Sequence, residues 1–261
     1  MIKFFRHIRQ SQIMKSQPSS TIRYFKYAFG EIILVVIGIL IAVQINTSIK
    51  NSEIKKNNTI YLTKIIEELN LNKKRLEYLA FKGDSIAEIP SLVSVVKNCD
   101  SVLKLSIRGL KKNDISFLLN ANLYGGGSQL NLFNATYEEL LNTGKLYTLG
   151  SDTIILAIKN YYNRYEREIE YNRRWTDFAL EGANKLETNL TKLQLDYEYD
   201  YKNFKWTDYP WYFDSRSTEY TKMQMGIRRM LGGQNHDLRK CQELIKDSDN
   251  LIGILEKELN K

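Results

Sequence analysis

The chain has 261 residues, 38 Lys and Arg against 30 Asp and Glu, a net charge of +8 and a pI near 9.2. That basicity is unevenly placed: residues 1–50 carry seven basic side chains and one acid, and the rest carry 31 against 29. A nearly neutral body argues against a nucleic-acid partner, whose binding needs a basic folded surface.

Within residues 1–15, Met1, Phe4, Phe5 and Ile8 fall on one helical face with Lys3, Arg6 and Arg9 toward the other. This pattern suits an anionic lipid surface, and a basic tail without structure has the same composition. Ser16 to Ser20, with Pro18, breaks it from the apolar run that follows. From Ala28 to Ile45 the only charge is Glu31. At 1.5 Å per residue this helix would be about 27 Å long, against a hydrocarbon core of about 30 Å. Tyr24, Phe25, Tyr27 and Phe29 stand where amphipathic rings favour the headgroups. Lys3, Arg6, Arg9, Lys15, Arg23 and Lys26 precede the span without an acid, so the N-terminus is expected on the cytoplasmic side. Gln44 and Asn46 follow the run in place of a small-x-small cleavage site, which predicts an uncleaved anchor. Glu31 is expected near the cytoplasmic surface, where a helix N-terminus favours a carboxylate. The reading is a basic cytoplasmic segment (1–23), a transmembrane anchor (24–48) and a periplasmic body (49–261) at a bacterial inner membrane. The bilayer is the expected partner, and Gly38 and Ala42 form a small-residue face through which two spans could pair.

The body reads as all-helical. Tyr61, Leu62, Ile65, Ile66, Leu69, Leu76 and Leu79 predict a stalk helix ending near Gly83-Asp84. Pro90 opens a helix over 91–106, and Asn113-Asp114 opens another that stops before Gly125-Gly126-Gly127. No Lys-Ser or Lys-Thr follows those glycines as a phosphate loop requires. Asn134 or Thr136 is the expected cap of a helix over 137–141 closed by Gly144. Ser151-Asp152 starts a long helix carrying Ile154, Ile158, Tyr161, Tyr162, Tyr165, Trp175 and Leu186, expected to reach about Leu193 and to pack antiparallel to the stalk. Two further helices are expected, 219–231 ending at Gly232-Gly233 and a last one opened by Asn235 or Asp237.

Between them, Tyr197 to Phe213 is crowded with rings, and Asp196, Asp200, Asp208 and Asp214 stand among or beside them. Rings with carboxylates can form a ligand or partner surface, here Trp206, Tyr209, Trp211, Tyr212, Asp208 and Asp214. The alternative is an aromatic loop that closes the core over helix ends. His236, beside Asp237, is the body's only histidine and reads as part of a helix cap. No catalytic residue is assigned, and neither a metal nor a cofactor is expected from these spacings. Cys99 and Cys241 fall on apolar helical stripes and read as core residues; a disulfide is the alternative in an oxidising compartment.

Gly30-Glu31-Ile32, the run Leu34 to Ala42 and Gln44-Ile45-Asn46 resemble the N-terminal signature of a family of single-pass membrane proteins common in flavobacteria and their relatives. Tyr137, Leu140, Gly144, Leu146 and Tyr161-Tyr162 resemble its later motifs, while Thr47-Ser48-Ile49 replaces its Trp-Asn-Glu-like run. The family carries no assigned activity, so the resemblance implies topology alone. The expected function is a membrane-anchored helical module that binds a protein or ligand at the cell envelope. The alternative is a tethered hydrolase using carboxylates near residues 197–214.

Overall fold

The computed structural model describes residues 20–83, 89–125 and 130–260, with side chains from residue 24, and all its regular elements are helical. The basic segment before Ser20 and the glycines 126 and 127 lie outside the described residues. The chain divides into two compact units, Met1–Asn57 and Asn58–Lys261.

Helix α1, Ser20–Glu77, belongs to both. Its first half is long and apolar enough to cross a membrane, and its side chains are unburied on every face, Val35 being 57% and Leu40 61% exposed. Glu31 stands eleven residues beyond Ser20, so it does not sit at the helix N-terminus expected for it; no acid lies in the first turn.

In the second unit, α1 turns Leu62, Ile65, Leu69 and Leu76 into the core at three-, four- and seven-residue steps. A π turn, Tyr78–Lys82, follows, and Gly83 closes it by donating its N–H to Tyr78 O at 2.9 Å. Gly83 is required twice over: its φ is 68°, and a Cβ there would meet Ile89 O at 2.4 Å. Next come α2 (Leu92–Arg108, capped by the Ser91 hydroxyl), α3 (Ile115–Asn120), α4 (Ala135–Asn142) and α5 (Asp152–Asn184). The long helix therefore stops short of Leu193. A π turn, Glu187–Thr191, leads into α6 (Lys192–Tyr199), where buried Asn189 donates to Lys185 O and to Glu219 O, both at 3.2 Å. Short 3-10 turns at Trp206–Asp208 and Pro210–Phe213 precede α7, Thr218–Leu259.

Helix α7 corrects the expectation of two helices split at Gly232-Gly233. These glycines lie inside one unbroken helix, where a Cβ on Gly233 would meet Trp175 O at 2.6 Å. Gly182 and Gly226 face each other as closely, a Cβ on Gly226 falling 2.7 Å from Gly182 O. Glycine here permits contact between α5 and α7 backbones, and tertiary packing outweighs its poor helix propensity. Contacts descend from Arg164–Asp247 through Lys240–Glu168 to Arg229–Glu181, so the two helices are antiparallel. The stalk is not the antiparallel partner expected for α5. Its contacts with the segments from Lys145 onward ascend together, Tyr61 with Lys145 and Glu68 with Tyr162, so it runs parallel to the first part of α5.

Two apolar cores result. The first joins α1, α4, the start of α5 and the end of α7; the second joins α2, α3, the π turn after α5 with the start of α6, the aromatic turns and the start of α7. Cys99 packs in the second and Cys241 in the first, both as free thiols that burial pushes up to about 12.

Candidate functional site

The six residues expected to form a surface divide. Tyr209, Trp211 and Tyr212 are buried, Trp206 is half-buried, and Asp208 and Asp214 are exposed. Two consecutive 3-10 turns fold the segment so that its rings pack together: Trp206 meets Phe204 edge to face at 5.1 Å and lies tilted against Tyr212 at 5.0 Å and Phe213 at 5.2 Å. The Tyr212 hydroxyl donates to Lys111 O at 3.0 Å, and Tyr209 donates to Asp196. Burial raises both phenols above their ordinary range, and Asp196 is held low by Lys192 and then by Tyr209. Most of this ring cluster thus closes the second core, as the alternative reading had it. Its outward remainder is Tyr199, Tyr201, Phe213, Asp208 and Asp214.

The carboxylates of this region do not converge with the histidine. Asp200 accepts from Asn203, Asp214 from the Arg216 N–H, and His236 stacks on Trp175 of α5 at 4.7 Å. No group of His, Cys, Asp and Glu with metal-binding geometry occurs among the described residues.

A second assembly was not anticipated from the sequence. Residues 130–134 have no regular secondary structure and carry Leu130 and Leu132 into the first core, and buried side chains of two helices hold their backbone. Asn172 Oδ1 accepts the Leu130 N–H at 3.3 Å, and the Tyr165 hydroxyl accepts the Leu132 N–H at 2.9 Å while donating to Leu132 O at 3.1 Å. Asn72 bonds both groups of Phe133, accepting at 2.6 Å and donating at 2.7 Å. Glu68 accepts the Thr136 N–H at 2.8 Å and the Tyr162 hydroxyl, so the carboxylate meets the start of α4 where neither Asn134 nor Thr136 supplies a side-chain cap. Unpaired backbone is costly in a core, and these side chains replace a missing strand or helix neighbour.

The assembly continues to α7. Asn172 Nδ2 donates to Asp237 Oδ1 at 2.7 Å, and His236 Nδ1 lies 3.6 Å from the same oxygen. His236 is therefore mid-helix and not at a cap, because Gly233 carries α7 past the expected break. Burial pushes the Asp237 carboxyl up to about 7, with the Asn172 bond opposing, and lowers His236, with Arg239 and Lys240 adding to the effect. Four buried atoms here lack a hydrogen-bond partner: Glu168 Oε2, Thr176 Oγ1, Gln234 Oε1 and His236 Nδ1. Glu68, Asn72, Glu168 and Asn172 share faces with Ile65, Leu69, Tyr161 and Tyr165. Polar residues in register with an apolar stripe were the available signal.

No family model, curated protein or solved structure matches this chain significantly. The chemistry must be read from the chain itself. The seam between α5 and α7 can hold a proton and fix a strap, and the aromatic rim can offer contact area.

Proposed function

We propose that this chain is a membrane-anchored helical module that binds a protein or ligand at the cell envelope. One observation carries the reading. The apolar residues of α1 from Phe29 to Ile49 are unburied all round, while the same helix supplies Leu62, Ile65 and Leu69 to a core. Apolar exposure on every face suits lipid and not water, and the continuing helix suits an anchor better than a removable leader. The resemblance of residues 24–46 to a single-pass family supports the same topology. The basic residues before the span favour a cytoplasmic N-terminus and a periplasmic body in a bacterial inner membrane.

Labelling tests the topology. Ser217 is a poor site for an introduced thiol because its hydroxyl caps α7, accepting from the Tyr220 N–H at 3.2 Å. Tyr199 is 79% exposed, and the native thiols are buried, so Tyr199→Cys is the better reporter. A thiol reagent that cannot cross the inner membrane should label it in cells with a permeable outer layer, and exclusion of the reagent would reverse the orientation. The partner surface proposed is the aromatic rim, Trp206 with Tyr199, Tyr201, Phe213, Asp208 and Asp214. A photoreactive residue at position 199 should crosslink one discrete partner, whereas one at exposed Leu156 should not. Pairing through Gly38 and Ala42, where a Cβ on Gly38 would meet nothing within 4 Å, predicts a crosslinked homodimer in gentle detergent that Gly38→Leu removes.

A further inference from the structure

We propose that His236 and Asp237 form a buried proton site that latches the irregular segment 130–134, a strap over the first core, through Asn172, so that loss of one proton loosens the strap. The geometry is a relay. The Leu130 N–H donates to Asn172 Oδ1, and the amide of that residue donates onward to Asp237 Oδ1. Asn172 and Asp237 are each 2% exposed, so neither end reaches solvent.

Among the described residues, His236 is the only basic side chain within ion-pair distance of Asp237. Its Nδ1 is buried without a partner, and closing the 3.6 Å gap would make one hydrogen bond there. One proton between these two atoms satisfies both: carried by Asp237, it is donated to Nδ1; carried by Nδ1, it is donated to the carboxylate. Take it away and Asp237 is a full charge in a dry interior, met only by neutral donors, the Asn172 amide and an Nδ1–H tautomer of His236. That state is relieved by admitting water, which requires Asn172 to let go.

The surrounding charges do not supply a substitute. On α7, Lys240 is bonded to Glu168 at 3.2 Å and Glu243 at 3.1 Å, and Arg239 pairs with Glu243. On α5, Arg164 is taken by Glu168, Glu243 and Asp247. Arg75 of α1 acts on Cys241 and Tyr165, and Tyr124 before the strap is neutral and feels Asp237 as a repelling charge. The raised carboxyl pKa of Asp237 agrees with this arrangement. The strap is the element that can respond, because side chains alone hold its backbone at Leu130, Leu132 and Phe133.

The test is amide hydrogen exchange on the full chain in detergent micelles, from about pH 5.5 to about pH 8.5, corrected for intrinsic exchange. When opening releases one proton, protection at Leu130 should fall by up to roughly tenfold per pH unit as pH rises toward the closed-state midpoint near neutrality, and level off above it. Asp237→Asn, which keeps the acceptor for Asn172, should flatten that slope, and the amide of buried Ile158 in α5 should stay flat in both proteins. An unchanged slope in Asp237→Asn, a flat wild type, or an equal slope at Ile158 would each overturn the latch. Should the variant fail to fold, the carboxyl carbon shift of Asp237 in the wild type decides instead. Titration near neutrality supports the site, and titration in the ordinary carboxylate range removes it.

Discussion

The neighbouring glycines of α7 make opposite predictions. A Cβ on Gly233 would sit 2.6 Å from Trp175 O and 2.7 Å from Ala179 Cβ, so Gly233→Ala forces two backbones apart. Overpacking of this kind costs about 1–3 kcal/mol, and a helical Gly-to-Ala change returns about 1 kcal/mol. The net loss is about 1–2 kcal/mol at the upper end of that range. On Gly232 the Cβ would meet only Phe178 Cε1, at 3.4 Å, so Gly232→Ala keeps the propensity gain. For a body of this size 1 kcal/mol shifts the melting temperature by about 2–4 °C, which separates the two variants by roughly 5–10 °C. Thermal unfolding of the full chain in detergent, followed by far-UV circular dichroism, measures the difference. Gly226→Ala, 2.7 Å from Gly182 O, should fall with Gly233→Ala. If Gly233→Ala melts with or above Gly232→Ala, the close crossing of α5 and α7 is wrong.

Asp237 predicts a pH dependence. Its carboxyl is raised from 3.8 to about 7 in the folded protein, so the folded state holds that proton more tightly than the unfolded chain. The stability this confers is complete below the unfolded value and is lost as pH rises through the folded one, by up to roughly 4 kcal/mol. Asp237→Asn should therefore resist urea better than wild type at about pH 8 and lose most of that advantage near about pH 5. Tyr162→Phe removes the phenol donor from buried Glu68 and should cost about 1–3 kcal/mol in urea unfolding with an unchanged m-value; a neutral outcome would show that the bond is not made. Exchanging Glu31 and Gly38 moves the acid to mid-span at a cost of about 2.5–3.5 kcal/mol, which should reduce the fraction resisting alkaline extraction from membranes; equal fractions would contradict the placement of Glu31 near a surface.

Much of the helical framework is legible without coordinates, because it depends on local periodicity. The stripes through Leu62, Ile65 and Leu69, through Val95, Cys99 and Val102, and through Leu238, Cys241 and Leu244 all face the cores. Gly83 and Gly144 end their elements with positive φ, as a residue without a Cβ allows. The aromatic segment was legible as unusual, but burial of its rings was not, since spacing does not tell a stacked surface from a closed core.

The sequence by itself determined an all-helical chain with one apolar helix near its N-terminus, since both follow from hydrophobic patterning along a few turns. Tertiary structure alone decided where helices ended or continued and which polar residues met. Gly232-Gly233 is a stop signal locally, yet it is the contact that lets α7 touch α5. Glu68 and Thr136 are 68 residues apart, and Asn172 and Asp237 are 65 apart. Pairings over such separations carry no local signal, because they arise from the packing of whole helices and not from the propensities of the residues that meet.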